Sequence, residues 1–246
     1  MPTSITIFKK IVPRKLRLAL IFWFLKRANK LDAEMFMAFN LCKNKRIAID
    51  VGSNNGLYSF FYSKNFEQVK SFEPFQMASK NLISAKIKNV EVFNYALSSS
   101  SGKATLHAPI ADNGSVIHSQ TSFKKCSEHN LQIHATLRTL DSFEFQHVDM
   151  LKIDVEGHEQ HVLEGAAKTI RHNKPIILVE IEERHLGFSP ARTIDFIEKL
   201  GYESYVIVEG KLTKTLDFDY LKNQRNCVNS NNFDNYCNNF IFMPTE

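Results

Sequence analysis

Ile47-Ala48-Ile49-Asp50-Val51-Gly52-Ser53-Asn54-Asn55-Gly56 is the stretch on which the reading of this 246-residue chain turns. Ile47–Val51 is a short, apolar, β-branched run, as a parallel strand covered on both faces should be. Gly52 permits a positive φ, so the backbone can turn sharply off the strand. Gly56 lets the next helix start close to the sheet. Twenty-one residues after Gly52, the run Val69-Lys70-Ser71-Phe72-Glu73-Pro74 passes from apolar to acidic. Strand, glycine turn, helix start and a second strand ending in an acid are how an α/β sheet holds an adenosine-containing cofactor.

The turn also discriminates between cofactors. A dinucleotide site uses G-x-G-x-x-G, whose second glycine lets the backbone approach the pyrophosphate. Here Asn54 occupies that position and carries a side chain. A phosphate-free cofactor tolerates it, and S-adenosylmethionine is one. Backbone groups around Gly52, Ser53 and Asn54 are expected to hold its amino-acid tail, and Asp50 its ammonium. Glu73 is expected to accept hydrogen bonds from both ribose hydroxyls. Two alternatives stay open: a nicotinamide-dependent oxidoreductase on the same sheet, which Asn54 disfavours, and a non-catalytic binding module that keeps the fold.

Composition narrows the class. The length suits one large domain or two small ones, and an apolar content of 43% is ordinary for a globular protein. Cys42, Cys126, Cys227 and Cys237 lie far apart, suggest neither a zinc site nor a disulfide framework, and fit a reducing, cytoplasmic setting. The net charge of +5 is unevenly placed. Residues 1–31 hold eight basic residues and no acid, whereas the remainder has 23 basic against 26 acidic. A nearly neutral body does not indicate nucleic acid as a partner.

Leu18-Ala19-Leu20-Ile21-Phe22-Trp23-Phe24-Leu25 is a continuous apolar run between basic residues. Eight residues are too few to cross a bilayer, which takes about 20 in a helix. No small-residue cleavage site follows, so a signal peptide is not indicated. Two readings remain for the extension at residues 1–40. One is a helix docked on the domain at residues 41–246 and lidding the cofactor site. The other is peripheral contact through residues 8–27 with an anionic membrane, at its inner face.

Helical spacing predicts helices through Phe60–Lys64, Phe75–Ala85, Glu159–Arg171 and Ala191–Leu200. Strands are expected at Val90–Tyr95, Val148–Asp154, Pro175–Ile181, Ser204–Val208 and Asn239–Met243. This alternation implies a doubly wound α/β fold. Residues 98–136 differ: they are serine-rich and polar, with turn signals at Ser101-Gly102 and Asn113-Gly114-Ser115. They read as a flap or insertion with strands at Lys103–Ala108 and Gln132–Arg138. His107, His118 and His134 within it lack metal-ligand spacing. Eight asparagines between Asn223 and Asn239 read as a loop.

Four motifs in order, Asp50–Gly56, Ser71-Phe72-Glu73-Pro74, Thr139-Leu140-Asp141-Ser142-Phe143 and Leu151-Lys152-Ile153-Asp154-Val155-Glu156-Gly157-His158-Glu159, resemble the FkbM-type S-adenosylmethionine-dependent methyltransferases. The resemblance runs from about Arg46 to Glu183. Ser53 stands where that family more often has alanine. The resemblance implies a Rossmann-like, doubly wound, seven-stranded methyltransferase sheet. It also implies S-adenosylmethionine as donor and methylation of a hydroxyl, often on a glycan or secondary metabolite. Pro74, Ala96 and Asp154 join Asp50, Gly52, Ser53, Asn54, Gly56 and Glu73 as expected cofactor contacts.

The residues themselves point to a second, reactive centre. Ligands of open α/β sheets bind beyond the carboxyl ends of the strands. Asp50, Glu73, Asp154 and Glu180 each fall at such an end. Methyl transfer to oxygen needs the acceptor held in line with the departing sulfur, and a base helps remove the hydroxyl proton. His158 titrates in the right range, and Asp154, Glu156 and Glu180 can serve as base or orient it. Lys152, inside its strand, can pair with an acid. No metal is expected. The expected activity is O-methylation of a small-molecule or glycan acceptor, most naturally a saccharide that can be lipid-linked.

Overall fold

The computed structural model describes residues 12–125, 128–186, 189–208, 210–219, 221–230 and 236–245. Its strands are β1 (Ile47–Val51), β2 (Gln68–Phe72), β3 (Val90–Phe93), β4 (Ala96–Leu97), β5 (Gly102–Pro109), β6 (Asn130–Arg138), β7 (Val148–Ile153), β8 (Ile176–Glu180), β9 (Tyr202–Val208), β10 (Lys211–Lys214) and β11 (Asn239–Pro244). The main sheet runs β3-β2-β1-β7-β8-β11-β9-β10. β3 through β8 are parallel, and β11 pairs antiparallel with both β8 and β9. The chain winds outward in one direction from β1 and in the other from β7. These neighbours define the switch point at which doubly wound sheets open a crevice. Seven strands make the expected methyltransferase sheet. β10 adds an eighth at its edge by pairing back onto β9.

Successive strand residues face opposite ways, so the sheet separates two apolar layers. Ile49, Val51, Leu151, Ile153, Ile177 and Val179 pack with Val162, Ile170, Ile194 and Ile197. Ala48, Met150, Leu178 and Ile241 pack with Met35, Ala38, Phe61 and Tyr62. Met35 and Ala38 belong to the helix Ala33–Leu41. This helix spans the boundary expected at residue 40. The helix Arg14–Arg27 docks against the helices Leu57–Ser63 and Lys80–Ala85, with Phe22 against Phe60 and Phe61. Residues 8–11 of the expected membrane segment lie outside the described residues. Among the described residues no helix is long and apolar enough to cross a membrane.

Several elements depart from the sequence expectation, each because of a specific contact in the fold. The helix expected from Phe75 starts only at Lys80. The Phe75 N–H donates to Glu73 Oε1 at 2.8 Å and holds the intervening residues in a turn. β3 stops at Phe93, and Ala96–Leu97 leaves to pair with β6. The helix expected over Glu159–Arg171 is two, Glu159–Glu164 and Ala167–Asn173. At Gly165 between them, a Cβ would lie 2.0 Å from the Ser98 carbonyl oxygen. Asp141 restarts the second helix by accepting from the N–H groups of Lys168 and Thr169 at 3.0 and 2.8 Å.

The flap has the two expected strands, slightly longer, as the antiparallel pair β5 and β6. With β4 they form a separate three-stranded sheet. Phe75 and Ala78 pack against Ala108 on its underside. The Asn-rich stretch includes a helix at Asn226–Ser230, and its residues 231–235 lie outside the described residues. Gln224 ties the stretch to the sheet by donating to the carbonyls of Ile181 and Cys237 at 2.8 and 2.9 Å.

Candidate active site

A cavity of about 290 Å³ lies at the switch point, beyond the carboxyl ends of β1 and β7 and beneath the flap. Val51, Phe72, Pro74, Tyr95, Ala96 and Leu97 make its apolar wall, and the flap adds Leu106, His118, Ser119, Thr121 and Phe123. Gly52, Asn54 and Glu73 reach the cavity from the ends of β1 and β2, and Asp154, Glu156 and Glu180 from the ends of β7 and β8.

The glycine turn is shaped by close backbone approach. Gly52 has φ +76°, and a Cβ there would sit 1.7 Å from the Asp154 carbonyl oxygen. The turn is thus clamped to the end of β7, which also accepts no side chain in between. Asn54 follows with φ 46°, a left-handed conformation that asparagine tolerates better than most residues. Its N–H donates to Glu73 Oε2 at 2.9 Å. Glu73 is buried, and this burial raises its pKa to about 7 although the N–H groups of Phe75 and Asn54 pull it back.

Three expected cofactor contacts lie elsewhere. Asp50 does not line the cavity. It is fully buried under the turn, accepts from Ser59 Oγ at 2.6 Å and lies 3.8 Å from Lys152 Nζ. Its place inside the strand pairing, two residues before Gly52, points it into the layer below, away from Val51. Ser53 is buried with its hydroxyl unpartnered and does not face the cavity. Gly56 abuts Leu82, where a Cβ would lie 2.6 Å away, so it sets the approach of two helices. Gly52, Asn54, Glu73, Pro74, Ala96 and Asp154 do line the cavity.

At the ends of β7 and β8 is an acid cluster organised around one buried lysine. Lys152 Nζ donates to Asp154 Oδ2 at 3.1 Å and sits 4.4 Å from the centre of the Tyr58 ring. Burial opposes charge on Asp154, but Lys152 and a hydrogen bond shared with Glu180 hold its pKa below the usual carboxylate range. Glu180 moves the other way. Burial raises its pKa strongly and the Asp154 charge raises it further, so Glu180 carries the proton of the pair. Glu156 is raised to about 8, first by burial and then by Asp154, Glu182 and Glu159. It sits at φ 54°, a strained conformation for glutamate, with His185 Nδ1 3.2 Å from its Oε2. Asn238 holds this side from behind by donating to Glu180 and, at 2.9 Å, to Glu182. Asp154, Glu156 and Glu180 bring oxygens within 4.8 Å of one another, a spacing able to hold a divalent cation. Lys152 and the proton on Glu180 already offset part of that charge.

His158 is not where a base at this cavity would stand. Its Nε2 meets Ser98 Oγ at 2.9 Å and its ring stacks on Phe123 at 3.8 Å. It does not line the cavity. Burial, then His161, lowers its pKa to about 4, so the ring is neutral and packs as a flat surface for the flap.

Residues missed in the sequence are of two kinds. Glu182 and His185 follow β8, and the run of acids there was a legible signal. His118, Ser119, Thr121 and Phe123 come from the flap, where spacing carried none. A wider cleft of about 850 Å³ adjoins the cavity and shares Asn54, His118 and Ser119 with it. Arg14, Arg17 and Lys80 line this cleft and no carboxylate does.

Comparison with known proteins gives three findings. The family described as "Methyltransferase FkbM domain" matches residues 50–204. The hexuronic acid methyltransferase AglP of Haloferax volcanii is 32% identical over 148 residues, which is 57% of this chain and 56% of that protein. The chain thus spans about half the length of the curated relative it matches. Among solved structures, a methyltransferase FkbM from Methylobacillus flagellatus KT is similar at TM-score 0.49 and 13% identity, over 81% of this chain and 43% of that one. An rRNA methylase from Streptococcus thermophilus is similar at TM-score 0.46 and 9% identity, over 87% and 95%.

Proposed function

This chain belongs to the methyltransferase FkbM family, and from that premise we propose that it moves a methyl group from S-adenosylmethionine to a hydroxyl of an acidic saccharide. The observation that carries the reading is the cavity at the switch point, lined by Glu73 and by the Asp154–Glu156–Glu180 cluster. The residues present fit the cofactor. Gly52 lines the cavity with bare backbone, where an amino-acid tail can approach the main chain. Glu73 offers a carboxylate to a ribose, and Phe72, Pro74, Ala96 and Leu97 offer an apolar seat to an adenine. Asp154, ionised beside Lys152, takes the ammonium role first expected of Asp50. Bound there, S-adenosylmethionine supplies a methyl carbon open to in-line attack by the acceptor oxygen.

Glu156 is the group to take the hydroxyl proton. It lines the cavity, and a pKa of about 8 is close to a working pH, where a general base is most effective. His185 orients its carboxylate from 3.2 Å. The protonated Glu180 keeps Asp154 in place by its hydrogen bond. The adjoining cleft supports an acidic acceptor, because Arg14, Arg17 and Lys80 give it a positive lining. The AglP relative, named for a hexuronic acid, supports the same class.

The test has two stages. Calorimetry with S-adenosylhomocysteine and NADH should show binding of the first only; no binding of the first defeats the whole reading. A panel of neutral and uronic-acid oligosaccharides is then incubated with S-adenosylmethionine and followed by mass spectrometry. Methylation confined to the neutral members removes the acidic class and leaves the cofactor. In active mixtures kcat/KM should climb as the pH rises toward about 8, because Glu156 acts ionised.

A further inference from the structure

The helix Arg14–Arg27 has two apolar sides, and the fold uses only one. Leu18 is buried and Phe22 packs on Phe60 and Phe61. Away from the domain, Leu16, Trp23 and Phe24 are 48%, 49% and 54% exposed. Spacings of seven and eight residues put these three on one face of a helix. Scattered exposed apolar residues are ordinary, but a large aromatic pair in line with a leucine is a patch that calls for a partner.

The charge around the patch says which partner. Arg14 and Lys15 are exposed at one end of the helix and Lys26 and Arg27 at the other. Arg27 lies over the Trp23 ring at 5.3 Å. No acid falls within residues 1–31, while the rest of the chain is slightly acidic. Tryptophan and leucine facing outward between lysines and arginines is the arrangement of a helix lying flat in a lipid interface. A 14-residue helix is about 21 Å long, enough to lie along a surface and too short to cross one. A second copy of this chain fits less well, because it would bring the same basic ends together.

We propose that the outer face of Arg14–Arg27 docks on a membrane surface rich in anionic lipid. The same helix contributes Arg14 and Arg17 to the cleft beside the cavity. Docking therefore sets that cleft along the headgroup layer. The inference stands on the exposed face and its charges, not on the acceptor reading above.

Trp23 is the chain's single tryptophan, so its emission reports on this face alone. The full chain is titrated with vesicles of phosphatidylcholine, with and without phosphatidylglycerol, and sedimentation is measured alongside. A blue shift and co-sedimentation are expected with the anionic vesicles, weakened by added salt. The triple variant Lys15→Glu, Lys26→Glu, Arg27→Glu should bind at least about 100-fold more weakly. The double variant Leu16→Ser, Phe24→Ser should also lose the shift. Both should keep the parent's Tm and S-adenosylhomocysteine affinity, which separates lost docking from lost folding. The proposal is overturned if the parent ignores anionic vesicles, or if neutral vesicles bind it equally and the charge variant binds like the parent. It is also overturned if the shift instead tracks protein concentration without lipid while the mass doubles, which assigns the face to a second copy.

Discussion

The two sides of the cavity are built by different means. At the glycine turn, backbone geometry decides: Gly52, Asn54 and the N–H groups on Glu73 belong to two short segments, each continuous in sequence. At the acid cluster, side-chain charge decides. Lys152, Asp154, Glu156, Glu180, His185 and Asn238 come from three strand ends that only the sheet brings together. The turn side is rigid because a Cβ has nowhere to go. The acid side is tuned because burial and neighbouring charge push Asp154 and Glu180 in opposite directions. Substitutions should therefore fail differently at Gly52 and Glu73, by cofactor binding, than at Glu156, by turnover.

Five measurements put that contrast at risk. The largest effect is expected at Glu156. Glu156→Gln should lower kcat by roughly 10²–10⁴ and leave S-adenosylhomocysteine affinity near the parent's. His158→Ala, by contrast, should keep kcat and lower Tm, since the ring packs on Phe123; equal losses of kcat in both would return His158 to the chemistry. Next is Gly52→Ala. Positive φ and a 1.7 Å overlap should weaken S-adenosylhomocysteine binding by about 100-fold in calorimetry. Unchanged affinity would mean that the turn is not part of the cofactor site.

Glu73→Gln should cost cofactor affinity about 10- to 100-fold, because a charge-assisted acceptor becomes a mixed donor and acceptor. Its Tm in the absence of cofactor should fall less below pH 7 than above it, because Glu73, raised to about 7, is mostly protonated only on the acid side.

The fourth concerns stability against pH. The folded pKa values of Glu156, about 8, and of Glu73 and Glu159, about 7, lie above the unfolded value of 4.5. The folded chain then holds extra protons, so this stability is full below pH 4.5 and is lost as pH rises through these values. His158 runs opposite. Its pKa falls from 6.5 to about 4, so its share is full above 6.5 and is lost as pH falls through 4. Scanning fluorimetry without cofactor should show Tm dropping as pH rises toward about 8. Glu156→Gln should flatten that drop, at roughly 2–4 °C per kcal/mol recovered. A parallel pair of curves would show that Glu156 is ionised throughout.

The smallest effect is expected at Ser53→Ala. The hydroxyl is buried without a partner, so its removal should change stability by no more than about 1 kcal/mol, toward stabilisation. A larger loss on chemical denaturation would reveal a bond formed by Ser53.

Much of the fold was legible because its signals are local. The β-branched run at Ile47–Val51, the apolar strands ending in Asp154 and Glu180, and the helical spacing before Gly201 each read out over a few residues. Elements that depend on distant partners were misjudged. The helix break at Gly165 answers to the Ser98 carbonyl, and the early end of β3 to the pairing of Ala96–Leu97 with β6. β10 pairs with β9 across a turn that offered little periodicity.

The doubly wound α/β class, the position of the glycine turn, the acid after β2 and the family are written in the chain, because glycine turns, β-branched runs and the acids that close them are signals of a few neighbouring residues. Only the tertiary structure decided which carboxylates face the cavity. Asp50 and Asp154 both sit at the carboxyl ends of strands beside the same lysine, yet one is sealed under the turn and the other opens into the crevice. That difference lies in what packs above each strand end, and packing between segments a hundred residues apart leaves no mark on either segment alone.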